Sequence, residues 1–525
     1  MRYFNTTGPC SPKRHYMLPA AERLPEACRH IARGQYFVVH APRQTGKTTT
    51  LAELARQLTT GGEYVALHFS CEIGQSFGDD FAGVERVLLA NISRAARIAG
   101  LAPELMPPDP WPKYEPGTML RDALTDWVGR CPLPVVLFFD EIDALRGDSL
   151  INVLRQLRDG YTIDPDGFVH SIVLCGLRDV REYKAASGGD PNRLGTASPF
   201  NIKVESVRLG DFTHAEVAEL YAQHTTETGQ EFSRRAIDLA YFYTQGQPWL
   251  VNALAAEVVD NMHIETTITE DHIDRAKERL IVTRATHLDS LVDKLGEPRV
   301  KQVIEPLIAG KSVDGDIDFH NARSYVADLG LIAPDRPVRI ANPIYKEVIV
   351  RVLGASVEEN ITAEPSQFRF DDGRLDFPKL LTAFATFWKE HGEFLTSRHS
   401  YHEVAPQLVM MAFLHRIVNG GGYIDREYGV GAGRIDLLIR QPYTGADGRR
   451  AEQREAVELK RRADKESDPL EAGLAQLDQY LDRLELDTGV LAIFDCRADA
   501  APITERTRFS EITAPSGRRI TLLRG

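Results

Sequence analysis

The segment from Val38 to Leu51 reads VVHAPRQTGKTTTL, and it joins an apolar, strand-like run to a helix-like one. Phosphate binding at such a turn requires inward-pointing backbone N–H groups, a helix N-terminus and a cation. We expect Gly46 to let the backbone approach the phosphates, Lys47 to reach the β- and γ-phosphates, and Thr48 to bind Mg²⁺ through its hydroxyl. The segment therefore predicts a nucleotide-binding loop, and a chance strand–turn–helix is the alternative.

Ala41 departs from the usual phosphate-binding loop, which has glycine at this place. Its methyl group fits at the start of the loop if its φ is negative, and Pro42 fixes the φ that follows. We therefore keep the alanine within the predicted site. The residues expected to bind the nucleotide around this turn are Ala41, Gln44, Thr45, Gly46, Lys47, Thr48 and Thr49.

A second segment, VVLFFDEID at 135–143, is an apolar run that is followed by two adjacent carboxylates. A continuous apolar run is typical of a strand that is buried on both faces. We expect Asp140 to hold Mg²⁺ through water and Glu141 to activate the attacking water as general base. The alternative, a strand that ends in solvated acids before a turn, is disfavoured by the loop upstream.

Length and charge limit the classes of protein that fit. The chain has 525 residues, which at roughly 100–200 residues per domain predicts three or four domains. A formal net charge of −13 argues against attraction of nucleic acid over the whole surface, but it leaves room for a local basic groove. No apolar run approaches the roughly 18 residues of a membrane span, so no membrane partner is expected. The lack of a signal-peptide core and of any CxxC pair among six cysteines predicts a cytoplasmic protein with reduced thiols.

The order of strand-like and helix-like segments divides the chain. Through residue 212 the two alternate, which predicts a parallel sheet in an α/β architecture. The pattern from 213 to 284 is helical and predicts a lid. Residues 285–354 contain helices, a helix-turn-helix and a short strand pair in PVRIANP, which is the order of a winged helix. The polar segment 355–366 is interpreted as a linker, and 367–525 as a separate α/β domain.

The motifs APRQTGKT and FFDEID together resemble the Walker A and Walker B motifs of AAA+ and related P-loop ATPases. In detail the resemblance is to the AAA-like and STAND-type bacterial ATPases, and it covers roughly residues 1–350 with lid and winged helix. It implies ATP and Mg²⁺ as cofactors. No arginine finger stands out, so assembly of identical chains into a homo-oligomer stays open.

Three further residues or segments are assigned by the same resemblance. Arg178 is implied to be a sensor that touches the γ-phosphate, and a surface salt-bridging arginine is the alternative. Pro248, in GQPWLV, is implied to lie against the adenine, and the alternative is an ordinary turn before a helix. The segment His15–Pro19 (HYMLP) lies where these ATPases carry an adenine-side segment.

A different set of residues stands nearer the end of the chain. GRIDLLI places Asp436 on an apolar strand, and AVELK places Glu458 and Lys460 on the next one. Residues i and i+2 of a strand face the same side, so Glu458 and Lys460 project together, and a hairpin would bring Asp436 beside them. Two carboxylates on one sheet face can hold a hard divalent cation such as Mg²⁺.

These three residues resemble the core of PD-(D/E)xK nucleases, over roughly residues 380–496. The resemblance implies a metal-dependent nuclease domain, with Glu403 as an additional acid at the metal and Mg²⁺ or Mn²⁺ as the cofactor. Gln476 and Tyr480, four residues apart, match the QxxxY motif of some branches. Two alternatives stay open, namely a strand with a salt-bridged Glu–Lys pair and a nuclease fold that binds DNA without cutting it.

The two sites together predict an ATP-dependent or ATP-gated nuclease that acts on DNA. ATP binding and hydrolysis would switch the lid and the winged helix, and these would control the metal-dependent site. The resemblance links such a pairing to defence against foreign DNA. The alternative is a STAND-like, ATP-driven switch or scaffold whose last domain binds nucleic acid without cleaving it.

Overall fold

The structure is a computed structural model, and it describes residues 2–176, 205–283, 293–308, 317–358, 361–398, 405–418, 422–430, 433–445, 448–464, 466–497 and 499–525. Arg178 and Glu403, two of the predicted site residues, lie outside the described residues. Residue contacts divide the chain into two compact units, Met1–Ala276 with Asp328–Gly330 and Lys277–Ala327 with Leu331–Gly525. Among the described helices, none is long and apolar enough to cross a lipid bilayer.

A five-stranded sheet lies at the centre of the first unit, and its strand pairs are all parallel. Its strands are, in chain order, β1 Phe37–His40, β2 Val65–Ser70, β3 Val135–Asp140, β4 Ser171–Gly176 and β5 Ser206–Arg208. Their order across the sheet is β2-β3-β4-β1-β5. The predicted parallel sheet is confirmed, and the carboxyl ends of β1 and β3 meet at one edge because parallel strands share a direction.

Helices cover both faces of this sheet, as a buried parallel sheet requires. They are α1 Ala20–Arg23, α2 Pro25–Ala32, α3 Lys47–Thr60, α4 Phe81–Ala99, α5 Met119–Val128 and α6 Gly147–Ile163. Leu137 and Phe139 of β3 belong to the hydrophobic cluster under α4, α5 and α6, whereas Val136 and Phe138 belong to the cluster under α2 and α3. Since every residue of β3 is buried, the strand holds its last residue, Asp140, in a fixed position.

The helices after this sheet are α7 His214–Thr228, α8 Arg234–Thr244, α9 Pro248–Ala256 and α10 Glu270–Val282. Thr213 and Glu216 form a capping box at the start of α7, which satisfies amide groups that the helix itself leaves unbonded. Residues 2–19, which precede α1 and are called the N-terminal arm, pack on α7 through the ring of Phe4, which contacts Tyr221 and His224. The helical pattern predicted after residue 213 is therefore present in the described residues.

The second unit begins with the end of α10 and continues with α11 Pro298–Ile308, α12 Ile317–Asp328 and α13 Pro343–Glu358. The strand pair predicted in PVRIANP is a single antiparallel bridge between Ile332 and Ile340. Pro334 and Pro337 lie between these residues and have no N–H donor, so the turn offers fewer hydrogen bonds to a ladder. Helix α13 ends at Glu358, so the first four residues of the predicted linker are helical.

A separate mixed sheet follows. Its strands are β6 Tyr423–Val430, β7 Gly433–Thr444, β8 Arg450–Arg462, β9 Thr488–Asp495, β10 Arg508–Thr513 and β11 Arg519–Arg524. Their order is β10-β11-β9-β8-β7-β6, with β8–β9 and β9–β11 parallel and the other pairs antiparallel. The described helices that accompany the sheet are α14 Phe377–Arg398, α15 Ala405–Val418, α16 Leu470–Leu484 and α17 Ile503–Arg506. A second α/β region is therefore present. Neither β10 nor β11 was predicted from the sequence, and β10 has almost no buried side chain that could have indicated a strand.

Gly246, which precedes α9, is required by its surroundings. Its φ is +78°, and a Cβ placed on it would lie 1.8 Å from the carbonyl oxygen of Phe212. We expect Gly246→Ala to lower the free energy of unfolding by about 3 kcal/mol, because the backbone must move as well as adopt an unfavourable φ. Thermal melting of the purified variant measures this loss.

Gly229 provides the matched control. Its φ is +76°, but no atom lies within 4 Å of the position of an added Cβ. Gly229→Ala should therefore cost only about 1–2 kcal/mol, the usual penalty of a left-handed residue. Equal losses in the two variants would contradict the steric explanation.

Candidate functional site

The predicted nucleotide-binding loop joins β1 to α3. Gly46 has a φ of +84° and Gln44 a φ of +59°, so the loop turns tightly before the helix begins at Lys47. Ala41 is buried and does not have a positive φ, which meets the condition under which alanine replaces glycine here. The Thr45 hydroxyl donates to the carbonyl oxygen of Pro42 at 2.9 Å and closes the turn.

Lys47 lies over the backbone of this loop. Its Nζ donates to the carbonyl oxygens of Ala41 and Pro42, each at 2.7 Å. Burial of the side chain lowers the pKa of the ammonium group, because a charged group is less stable away from water. A phosphate oxygen would provide the opposite charge that the two carbonyls lack, so the position suits a lysine that binds phosphate.

Thr48 and Asp140 come together as predicted for a pair that holds Mg²⁺. The Thr48 hydroxyl donates to Oδ2 of Asp140 at 2.7 Å, and His68 Nε2 lies 3.0 Å from the same oxygen. Asp140 is only 1% exposed, and this burial alone would raise its pKa, yet hydrogen bonds from His68, Thr48 and Cys175 lower it overall. The carboxylate is therefore ionised, which is the form that binds a cation.

Glu141, the predicted general base, follows β3 with a φ of +56°. Its Oε2 accepts a hydrogen bond of 2.6 Å from the hydroxyl of Ser70, the last residue of β2. A left-handed glutamate is strained and is held by its surroundings, which in this case include that hydrogen bond. Sequence reasoning missed His68 and Ser70, although polar residues at positions i and i+2 of the strand VALHFS were a signal that they face one side.

A cavity lies beside the loop, between the N-terminal arm and α9. Its lining includes Tyr16, Met17 and Leu18 of the arm, Thr49 of α3 and Pro248 of α9. The cavity thus brings the two features that sequence analysis assigned to the adenine side, the HYMLP segment and Pro248, next to the predicted phosphate-binding loop.

Arg23 is a further residue of this region that sequence reasoning did not single out. Its guanidinium donates to the carbonyl oxygen of Thr45 at 3.4 Å, to the hydroxyl of Thr50 at 3.3 Å and to the carbonyl oxygen of Gly210 at 2.8 Å. It therefore ties the loop to the segment that enters the lid helices. The sequence around Arg23 contains no motif that predicts this role, because α1 has only four residues and is too short for a helical pattern.

The second predicted site lies on adjacent strands β7 and β8. Leu437 pairs with Val457 in the antiparallel ladder, which puts Asp436 across from Glu458. The backbone N–H of Leu459 donates to Oδ2 of Asp436 at 2.8 Å. The hairpin predicted from the sequence therefore brings the two carboxylates to one face of the sheet.

Lys460 and two residues of α16 complete this arrangement. Lys460 Nζ donates to Oε1 of Glu458 at 2.7 Å and to Oε1 of Gln476 at 2.9 Å. Gln476 Nε2 in turn donates to the hydroxyl of Tyr480 at 3.0 Å. The predicted Asp, Glu, Lys, Gln and Tyr thus form one connected cluster, and the lysine is oriented by two partners.

Glu458 is the most unusual group of the cluster. Its side chain is fully buried, and none of the residues that the structure describes forms a hydrogen bond with its Oε2. Burial raises its pKa to about 7, with a further contribution from the negative charge of Asp436, while Lys460 lowers it in part. A buried carboxylate oxygen without a partner is costly, and a cation between Glu458 and Asp436 would satisfy it.

The described residues of this cluster nevertheless include only two carboxylates, Asp436 and Glu458. Within the described part of the chain, no group of three or more His, Cys, Asp or Glu side chains could surround a metal ion. The third predicted ligand, Glu403, lies outside that part. The residues present fit a hard cation by their chemistry, with Asp436 and Glu458 as the protein ligands.

Comparisons with known proteins agree with the first site. Residues 31–183 match the family model of the AAA domain. Three similar solved structures are the Walker-type ATPase PABY2304 of Pyrococcus abyssi, RuvB of Thermotoga maritima (described as a Holliday junction branch migration motor) and Cdc6p of Pyrobaculum aerophilum. Identities are 13%, 15% and 12%, over 66%, 63% and 66% of this chain and 99%, 93% and 97% of theirs, with TM-scores of 0.47, 0.33 and 0.35. No curated protein matches the chain.

The match to the AAA domain lies within the first unit. It covers residues 31–183, which include β1 to β4 and the motifs of the nucleotide site. The predicted P-loop ATPase is confirmed at this level. The first half of the chain thus contains an ATPase domain of the AAA type, and the match does not extend to the site on β7 and β8.

The raised pKa of Glu458 predicts that metal binding in the absence of nucleotide depends on pH. Without metal, the stability gained from protonation of Glu458 is present below its ordinary pKa of 4.5 and is lost as the pH rises through about 7. A cation binds the carboxylate and must displace this proton at lower pH. We expect Mn²⁺, at a concentration one hundred times its Kd at pH 8, to raise the free energy of unfolding by about 3 kcal/mol at pH 8. The same concentration should raise it by much less at pH 6.

Calorimetry of EDTA-treated protein with added Mn²⁺ measures this effect. Glu458→Gln keeps the size of the side chain and removes its charge, so the metal-induced rise in Tm should disappear in this variant. A rise in Tm that is independent of pH, or equal in the variant, would rule out Glu458 as a ligand.

Proposed function

We propose that this protein is an ATP-gated, metal-dependent nuclease that acts on DNA, with defence against foreign DNA as its role. The observation that carries this proposal is the cluster of Asp436, Glu458 and Lys460 on one sheet face, with a buried carboxylate oxygen that has no partner among the described residues. A buried carboxylate oxygen without a partner calls for an explanation, and a bound cation would provide one.

Each residue of the cluster has a distinct part in the proposed reaction. Asp436 and Glu458 hold the cation, which when bound polarises the phosphodiester and activates water. Lys460 stabilises the charge that develops on the phosphate, and Gln476 keeps its ammonium in place. Arg462, two residues further along β8, has a buried Nε without a hydrogen-bond partner in the described structure, so it is a candidate for binding a neighbouring phosphate.

ATP hydrolysis is assigned to the first unit. Lys47 binds the β- and γ-phosphates, and Thr48 with Asp140 holds Mg²⁺. Glu141 accepts the proton of the attacking water, and the hydrogen bond from Ser70 orients its carboxylate. These roles need no residue of the second unit, so the two activities can be removed separately.

Gating by ATP is supported by a buried ion-pair cluster within the second unit. Lys277, on α10, is 4% exposed and lies 3.7 Å from Oδ1 of Asp425 on β6. Asp425 also accepts a hydrogen bond of 2.6 Å from Arg440 on β7, the strand that carries Asp436. Helix α10 begins among the predicted lid helices, and the proposal is that it transmits a change in the lid to the strand that carries the metal ligand.

Two observations favour a second function. Lys460 is hydrogen-bonded to Glu458, as in an ordinary structural ion pair. The cluster on β7 and β8 also contains only two carboxylates among the described residues. A STAND-like switch or scaffold with a C-terminal domain that binds nucleic acid without cleaving it would have such a pair. The experiments below separate the two functions.

The nuclease proposal predicts a selective loss in Lys460→Ala. Cutting of DNA with ATP and Mg²⁺ or Mn²⁺ should fall at least about 100-fold, because the transition state loses its nearest cation, while ATP hydrolysis stays unchanged. Lys47→Ala should abolish ATP hydrolysis. Gel assays of DNA cutting and phosphate-release assays measure the two activities.

Lys389→Ala, which changes an exposed lysine of α14, is the matched control and should retain both activities. Equal cutting by Lys460→Ala and wild type would sink the nuclease proposal. No cutting by any form, together with an ATP-driven change in oligomeric state on size-exclusion chromatography, would favour the switch.

The gating route predicts that Lys277→Met uncouples the two activities. Methionine keeps the aliphatic bulk but not the ion pair with Asp425, so the effect of ATP on cutting should fall about tenfold, within the usual range of coupling free energies. ATP hydrolysis and cutting without ATP should change less than about twofold. Hydrogen exchange of β6 and β7 with ATP and with ADP provides a readout that needs no nuclease activity.

Lys294→Met, at a partly exposed lysine that pairs with Glu297, is the control for a lysine-to-methionine change in the same unit. Melting curves of both variants check that the fold is intact. An unchanged response to ATP in Lys277→Met would exclude this route.

A further inference from the structure

Asn252 is a buried polar residue of the cavity beside the nucleotide-binding loop, and the roles assigned above leave it unexplained. It lies on α9, one helical turn after Pro248, and is 8% exposed. Its Nδ2 donates to the carbonyl oxygen of Pro248 at 2.8 Å. Its Oδ1 is buried and has no hydrogen-bond partner in the described structure.

The orientation of this amide follows from its one hydrogen bond. A carbonyl oxygen such as that of Pro248 can only accept, so the amide nitrogen must face it and the oxygen must face away. The unpartnered group of Asn252 is therefore an acceptor. Leaving a buried acceptor unpaired is unfavourable, and a donor on a ligand would offset this cost.

The neighbouring polar groups of the cavity are already paired. The Tyr16 hydroxyl contacts His224 Nδ1 at 3.3 Å and Glu227 Oε2 at 3.4 Å. The backbone N–H and C=O of Met17 both bond to the side-chain amide of Gln223, at 3.3 Å and 2.8 Å. Asn252 Oδ1 is thus the side-chain acceptor that a ligand beside Pro248 can use.

We infer that Asn252 determines the base preference of the nucleotide site by accepting a hydrogen bond from the exocyclic 6-amino group of adenine. Pro248 and the side chains of the arm would contact the faces of the base. Asn252, which lies on the same face of α9 as Pro248, would contact the edge of the base. Guanine has an oxygen at position 6, which would place two acceptors against each other. The site therefore selects 6-aminopurine triphosphates, and the inference rests only on the ATPase part of the proposed function.

The test compares nucleotides that differ at position 6. Binding of ATP, purine riboside 5′-triphosphate (hydrogen at position 6) and GTP to the full-length protein is measured by isothermal titration with Mg²⁺. Wild type should bind ATP about tenfold more tightly than the purine riboside analogue, the ratio that corresponds to one hydrogen bond, and GTP more weakly still. Equal affinity of wild type for ATP and the analogue would overturn the inference without any variant.

Asn252→Leu tests the residue itself, because leucine has a similar size and no acceptor. It should bind ATP and the purine riboside analogue with equal affinity, whereas a merely structural role would weaken both nucleotides by the same factor and overturn the inference. Asn261→Leu, at an exposed asparagine beyond α9, should keep the wild-type ratio. Absence of binding by every nucleotide would contradict the ATPase function itself, which distinguishes the two failures.

Discussion

The nucleotide site depends on the hydrogen bond from Thr48 to Asp140, which joins the first turn of α3 to the end of β3. The two residues are 92 positions apart, and they meet because parallel strands of one sheet end at the same edge. The buried position of β3 gives Asp140 little freedom to move, and the hydrogen bonds it accepts keep it ionised. The loop, the cation site and the general base are all positioned relative to this one contact.

Two buried carboxylates, Asp140 and Glu458, have pKa values shifted in opposite directions by their surroundings. Asp140 accepts hydrogen bonds from Thr48 and His68, and its pKa is lowered despite burial. Glu458 has one ammonium partner, a second carboxylate nearby and an oxygen that no described residue contacts by a hydrogen bond, and its pKa is raised to about 7. The first is ready to bind a cation at neutral pH, whereas the second gains from a cation that replaces its proton.

Sequence reasoning succeeded where a pattern is local. The apolar run before Asp140 predicted a fully buried strand, and alternation on β7 and β8 predicted which side chains share a face. At PVRIANP, where a short strand pair was predicted, the described residues form one antiparallel bridge. Sequence reasoning missed His68, Arg23 and Asn252, because their partners come from segments that are distant in the chain or from backbone carbonyls that no motif records.

The sequence by itself determined the P-loop, the acidic end of β3 and the types of residue at the second site, since each depends on spacing within a few residues. Only the tertiary structure decided which oxygen of Glu458 lacks a partner, that Lys460 is held by Gln476, and that Asn252 has an unpaired acceptor. Burial and hydrogen bonding are properties of all the segments that surround an atom. They follow from how distant parts of the chain pack together, and a single stretch of sequence does not contain that information.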